Sequence, residues 1–131
     1  MAVRIIKRAR ALLGVPFRLH GRDASHGLDC VGLVAVVYRR RDDIPAGYAL
    51  RGGSADTYGA MIHALRLTQR RGLYRAGDLL LMAAGPQQFH LGLWTGESLI
   101  HADATLRRVV ELPGTPPWPV IGAWHNRKRR R

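Results

Sequence analysis

The chain has a single cysteine, Cys30, among 131 residues. One thiol cannot close an intramolecular disulfide, so stapling is excluded as a source of stability and the thiol is left for chemistry or for the core. Acidic residues are scarce as well: 9 Asp and Glu stand against 21 Lys and Arg, a formal charge of +12. Such a field draws polyanions, which include nucleic acid, anionic lipid and the anionic polymers of cell envelopes. The cations are nearly all arginine, however, spread along the chain as well as packed into Arg127-Lys128-Arg129-Arg130-Arg131. No stacking platform of aromatics beside basic residues and no recognition helix accompanies them, so no specific nucleic-acid partner is expected. Long hydrophobic runs are missing too, and nothing approaches the roughly 20 apolar residues of a membrane span. Near the N-terminus Lys7, Arg8 and Arg10 break the apolar stretch short of the roughly 7–15 residues of a secretory signal core. The expectation is a protein synthesised in the cytoplasm without a Sec signal.

What is present suits one globular unit. A hydrophobic fraction of 47% can build one core at this length but not two. Residues 1–126 are expected to form a single domain, and 127–131 a solvated basic tail, because five adjacent cations repel one another. Val3, Ile6 and Leu13 recur at helical spacing before Gly14 and Pro16, which predicts a helix over 3–13. Residues 14–28, rich in Gly and Pro, read as loop. Asp29 is a good N-cap for a helix starting at Cys30 and running to Tyr38, with basic residues beyond its end; the β-branched content keeps a buried strand as the rival reading. Residues 47–53 read as loop. Ser54 then caps a third helix with Tyr58, Met61, Ile62 and Leu65 along one stripe. After Gly77 come short apolar runs at 79–82, 91–94, 99–101, 109–112 and 120–124, the strands of an antiparallel meander. Helices first and strands second predict an α+β fold, N-terminal helices packed on a C-terminal antiparallel sheet.

Three residues carry the chemistry: Cys30 at a helix start, and His90 and His101 on neighbouring strands. The helix dipole favours thiolate at Cys30, and the unpaired N–H groups there can receive an oxyanion. Asp29 opposes the thiolate by its own charge, so an imidazolium beside the sulfur is expected to complete the activation and leave an accessible thiol of low pKa. A tight turn at Thr95-Gly96-Glu97-Ser98 gives paired positions that sum to 193, with Leu93 opposite Ile100, Gly92 opposite His101 and His90 opposite Asp103. His90, Gly92, Trp94, Leu99, His101 and Asp103 then share one face, and Leu91, Leu93, Ile100 and Ala102 form an apolar one. The two histidines become diagonal neighbours with open space over Gly92, within bridging reach at roughly 7–8 Å between backbones. One thiolate and two imidazoles could instead ligate zinc, but no CxxC or HExxH spacing supports it. His20, His26, His63 and His125 read as ordinary structural histidines.

In order and spacing, Gly14-Val-Pro-Phe-Arg18, Gly27-Leu-Asp-Cys-Val-Gly-Leu-Val34, Ala76-Gly-Asp-Leu-Leu-Leu81, His90-Leu-Gly-Leu-Trp94 and Leu99-Ile-His-Ala102 resemble the NlpC family of cell-wall hydrolases. That resemblance implies a papain-like fold and hydrolysis of peptide bonds in peptidoglycan stems. It makes Cys30 the nucleophile, His90 the base and His101 its orienting partner, with Asp29, Phe17 and Arg18 as substrate-binding residues and no cofactor or metal. The short form is similar to members encoded with phage tails and gene transfer agents. This implies baseplate or hub proteins as partners and delivery to the cell wall by a phage-like particle; a tail-tip subunit with a secondary or inactive site is the alternative. Phe17 stands where the family has a tyrosine, Val31 where it has a serine, and Leu19-His20-Gly21 where it has Trp-Gly-Gly.

Overall fold

The computed structural model describes residues 2–40, 44 and 55–126. Helix α1 spans Ala2–Arg10 and ends sooner than its apolar spacing suggested, in a turn that reaches Gly14. Its buried stripe is Ile5, Ala9 and Leu12, while Val3 and Leu13 face solvent. The i, i+4, i+7 spacing of the first set puts it on one side of the helix; Val3 and Ile6 begin a different stripe. Residues 14–28 contain more order than a loop, because β1 (Arg22–Asp23) and β2 (Gly27–Leu28) form a short antiparallel hairpin.

Helix α2 covers Cys30–Val37 and settles the helix-or-strand ambiguity. Asp29 caps it, its Oδ1 accepting the Gly32 N–H at 2.8 Å. The basic end is realised by residues outside the helix: Arg8 donates to the Val37 carbonyl at 3.0 Å and Arg40 to that of Arg39 at 3.2 Å. Those are carbonyls for which the helix has no N–H of its own. Gly32 must be glycine, since a Cβ there would enter the van der Waals shell of the Gly21 carbonyl oxygen. This close approach seats the start of α2 against the loop before it. Helix α3 runs Ala55–Ala64, and its expected stripe of Tyr58, Met61, Ile62 and Leu65 is buried. The Ser54 cap, the 47–53 loop and the tail 127–131 lie outside the described residues.

The main sheet comprises β3 (Thr68–Gln69), β4 (Leu79–Gly85), β5 (Gln88–Trp94), β6 (Ser98–Asp103), β7 (Arg108–Pro113) and β8 (Val120–His125), in the order β3-β8-β4-β5-β6-β7. All its pairings are antiparallel. The expected meander holds for β4 to β7, but β8 crosses back to the free edge of β4 instead of lying beside β7. There it supplies partners for N–H and C=O groups that β5 cannot reach. Strand β3 is two exposed residues and leaves no periodic trace in the sequence. One face of the sheet carries Leu79, Leu81, Leu91, Leu93, Ile100, Ala102 and Val109 into the core shared with the helices. The other carries Leu80, Met82, Trp94, Leu99 and Ala123, with Tyr74, Trp118 and Val120 packed over them.

One ionic contact anchors the β4 end of this sheet. Arg70 grips the buried Asp78 through two bonds of 2.8 Å, and the Arg75 N–H adds a third at 2.9 Å. Paired and hydrogen-bonded in this way, a buried carboxylate is tolerable; without its partner it is not.

Candidate active site

Helix α2 packs against both β5 and β6, and the site lies where those strands part. Their ladder holds Leu93–Ile100 and Trp94–Leu99, the register predicted by the Thr95–Ser98 turn, which the Thr95 N–H closes onto the Ser98 carbonyl at 2.9 Å. The pairing stops there, and the expected partnerships of Gly92 with His101 and of His90 with Asp103 are not made. Each strand stays bonded to its outer neighbour, so the sheet is slit between β5 and β6. Cys30, His90 and His101 line one cavity of about 210 Å³ at that slit, with Phe17, Phe89 and Trp118 among its walls.

The imidazoles meet directly. His90 Nε2 lies 2.8 Å from His101 Nδ1, with ring centroids 4.9 Å apart at 88°. The space over Gly92 is not the empty gap expected between them; a Cβ there would strike the Leu99 side chain. Because these nitrogens face each other as a hydrogen-bonded pair, they are not free to ligate one zinc ion together. Asp103 is occupied elsewhere, with Oδ1 accepting the N–H groups of Thr105 at 2.8 Å and Leu106 at 3.1 Å.

Burial dominates the electrostatics. The Cys30 thiol is 1% exposed and is pushed up to about 12, first by desolvation and then by the charge of Asp29. The N–H groups of Leu91, Val31 and Cys30 itself pull the other way without prevailing. The accessible thiol of low pKa expected from the helix start is therefore not what the structure holds: the dipole's help is smaller than the desolvation of a thiolate. His90 is pushed down to about 3 by burial and by the neighbouring His101, with Asp103 opposing. His101 is also lowered by burial. At neutral pH the site is a thiol beside two neutral imidazoles.

Of the three expected binding residues, Phe17 lines the cavity, whereas Asp29 and Arg18 are not among its walls. Asp29 is fully buried. Its oxygens receive the N–H groups of Gly32 at 2.8 Å and His20 at 2.7 Å, with Arg22 at 3.5 Å, so it positions the start of α2. Arg18 is exposed, and its backbone N–H bonds the Leu28 carbonyl at 3.2 Å.

Two residues escaped the sequence reading. Tyr58 belongs to the core stripe of α3, yet its hydroxyl is close enough to Cys30 and Asp29 for their charges to raise its pKa further, after burial. Trp118 sits among prolines past the recognisable motifs and makes edge contacts with both histidines, at centroid distances of 5.2 and 5.5 Å. Tyr58 could have been suspected from its place in a helix that must pack on α2. Trp118 had no local signal.

Helices set before an antiparallel sheet, with the thiol-bearing helix wedged against its central strands, define a papain-like α+β protein. The NlpC/P60 family profile matches residues 14–118, and the chain belongs to that family. Among solved structures, the NlpC/p60 domain of the peptidoglycan hydrolase SagA superposes with a TM-score of 0.65 at 23% identity, over 96% of this chain and 99% of that one. NlpC2 from Trichomonas vaginalis gives 0.68 at 20% identity, over 95% of this chain and 47% of that one. The peptidoglycan hydrolase RipB from Mycobacterium tuberculosis gives 0.61 at 23%, over 95% and 63%. By sequence, the chain is also 34% identical over 82 residues to the DNA replication complex GINS protein PSF3 of Chaetomium globosum, covering 56% of this chain. It spans 40% of that protein's length. No helix among the described residues is long and apolar enough to cross a membrane.

Proposed function

We propose that this protein is a cysteine endopeptidase that cuts peptide bonds in peptidoglycan stem peptides, with Cys30 as nucleophile, His90 as base and His101 as the residue that orients it. The observation that carries this reading is the 2.8 Å His90–His101 bond in the wall of the cavity that Cys30 also lines. His90 takes the thiol proton as sulfur attacks the stem-peptide carbonyl, and the N–H of Cys30 receives the oxyanion. The carbon–nitrogen bond breaks, His90 returns its proton to the departing amine, and water hydrolyses the thioester. Phe17 and Phe89 supply an apolar wall for the stem peptide, and Arg18 reaches its carboxylates from outside the cavity.

Delivery by a phage-like tail, with baseplate or hub proteins as partners and the cell wall as the place of action, is part of this proposal. It is supported by the resemblance of the motifs to tail-encoded members and by the basic charge. The decisive experiment incubates the protein with purified sacculi and with defined muropeptides and follows the fragments by mass spectrometry. A new amine and carboxyl at one stem-peptide bond, lost in Cys30→Ala, is expected. Absence of cleavage by a folded protein, or cleavage that survives Cys30→Ala, overturns the proposal.

A further inference from the structure

The reading of Cys30, His90 and His101 as a peptidase site, on which this inference rests, constrains every proton in the chain of nitrogens. For His90 to accept the thiol proton at Nδ1, that nitrogen must present a lone pair. Its Nε2 then carries the hydrogen and donates to His101 Nδ1 across the 2.8 Å contact, because a neutral imidazole has one donor and one acceptor. His101 Nδ1 is thereby an acceptor, and the proton of His101 must sit on Nε2. The same holds after His90 becomes an imidazolium. In the opposite tautomer His101 donates to His90, whose remaining proton lies on Nδ1, and the base has no lone pair for Cys30.

Something must hold the productive tautomer, and no conventional acceptor among the described residues does. His101 is 1% exposed, and its Nε2 is buried with no hydrogen-bond partner among the described residues. A buried nitrogen without a partner is disfavoured in either tautomer unless the surroundings distinguish N–H from lone pair. The ring packed against that of His101 is Trp118. Its ring stands at 90° to His101 with centroids 5.5 Å apart, and at 78° to His90 with centroids 5.2 Å apart. The two histidine rings are themselves at 88°, so three rings meet edge to face. An electron-rich indole face attracts an N–H and repels a lone pair, and it attracts a cation still more at these separations.

The loop holds the indole firmly. Pro116, Pro117 and Pro119 flank it and restrict the backbone. The Pro119 carbonyl accepts the Ala83 N–H at 2.9 Å, and the Gly114 N–H bonds the Glu97 carbonyl at 2.9 Å. Leu80, Met82, Trp94 and Leu99 back the ring from the sheet.

We propose that Trp118 is a positioning residue that keeps His101 protonated on Nε2, and so His90 open to the thiol, and that it stabilises the imidazolium formed as Cys30 attacks. The test compares Trp118→Phe with Trp118→Leu in the full chain, since both keep apolar bulk but only the first keeps a π face. Two-bond nitrogen–proton NMR spectra of the imidazoles report the tautomer without requiring turnover. The parent and Trp118→Phe are expected to show His101 as the Nε2–H tautomer, and Trp118→Leu a mixture. On a cleavable muropeptide, Trp118→Leu is expected to lower kcat by about tenfold with KM nearly unchanged, and Trp118→Phe by far less. The acid limb of its pH profile should also move down as the imidazolium loses support. Equal tautomers and equal kcat in the Phe and Leu variants would overturn the assignment. If the parent cleaves no muropeptide, the peptidase reading fails, while the NMR comparison still decides the role of Trp118 in the histidine pair.

Discussion

Cys30 is the only thiol in the chain, so its ionisation can be followed by alkylation with no background from other cysteines. The structure holds it at about 12 against an ordinary 9.0, because a sulfur only 1% exposed loses its hydration and Asp29 adds a like charge. Alkylation runs through the thiolate, whose fraction falls tenfold for each unit between the pH and the pKa. At pH 8 roughly one Cys30 in ten thousand is then ionised, against roughly one in ten for a thiol at the ordinary value, so iodoacetamide should react about a thousandfold more slowly than with a free cysteine. The rate should climb without a plateau through pH 9 and become that of a free thiol in denaturant. His90→Ala should leave this profile nearly unchanged, because a neutral imidazole contributes no charge to stabilise a thiolate. The measurement is a stopped-time alkylation series read by intact mass. A plateau below pH 8.5, removed by His90→Ala, would show a preformed thiolate–imidazolium pair and refute the reasoning from burial.

Three further outcomes follow from other parts of the molecule. His101→Ala should cost at least about a hundredfold in turnover, whereas Asp103→Asn, which keeps its acceptor for Thr105 and Leu106, should retain most activity; the reverse ranking would make Asp103 the orienting residue. Arg70→Met leaves the carboxylate of Asp78 buried without its partner, which should cost about 3 kcal/mol and lower Tm by roughly 10 °C; a melt within 2 °C or so of the parent would contradict this account of the pair. For pH, His90 binds its proton less readily folded than unfolded, so stability should be full above about 6.5 and decline as pH falls toward about 3. Cys30, Tyr38 and Tyr58 lose their protons less readily when folded, so stability should also decline as pH rises beyond about 9. Thermal melts from pH 3 to 11 should trace a dome, and a flat profile on both limbs would count against it.

Local chemistry is legible without coordinates wherever cause and effect lie within a few residues. The Asp29 cap needs only a carboxylate three residues before a free N–H, the stripe of α3 only a period of 3.6, and the β5–β6 register only a turn of known length between alternating strands. Cys30, His90 and His101 could be named for the same reason: a helix start and two residues of one strand parity are local facts. The α1 reading went astray in length and in phase, because two apolar stripes compete on one short helix and the α2 and β5 elements it packs on choose between them.

What tertiary structure decided is everything that depends on distant segments meeting. The sequence determined that one thiol and two imidazoles would approach one another; how they meet was set by the opening of β5 from β6, which no period of residues encodes because it is where the ladder stops. The return of β8 to the edge of β4 depends on which backbone groups remain unpaired after the meander forms. The pKa of Cys30 depends on how much protein surrounds it, so the helix dipole, visible in the sequence, was outweighed by burial, which is not, and the charge of Asp29 acts on the side of burial. Trp118 reaches the two histidines only because a loop after β7 folds back over the far face of the sheet, a contact between residues separated by 28 and 17 positions that neither pattern nor motif could place.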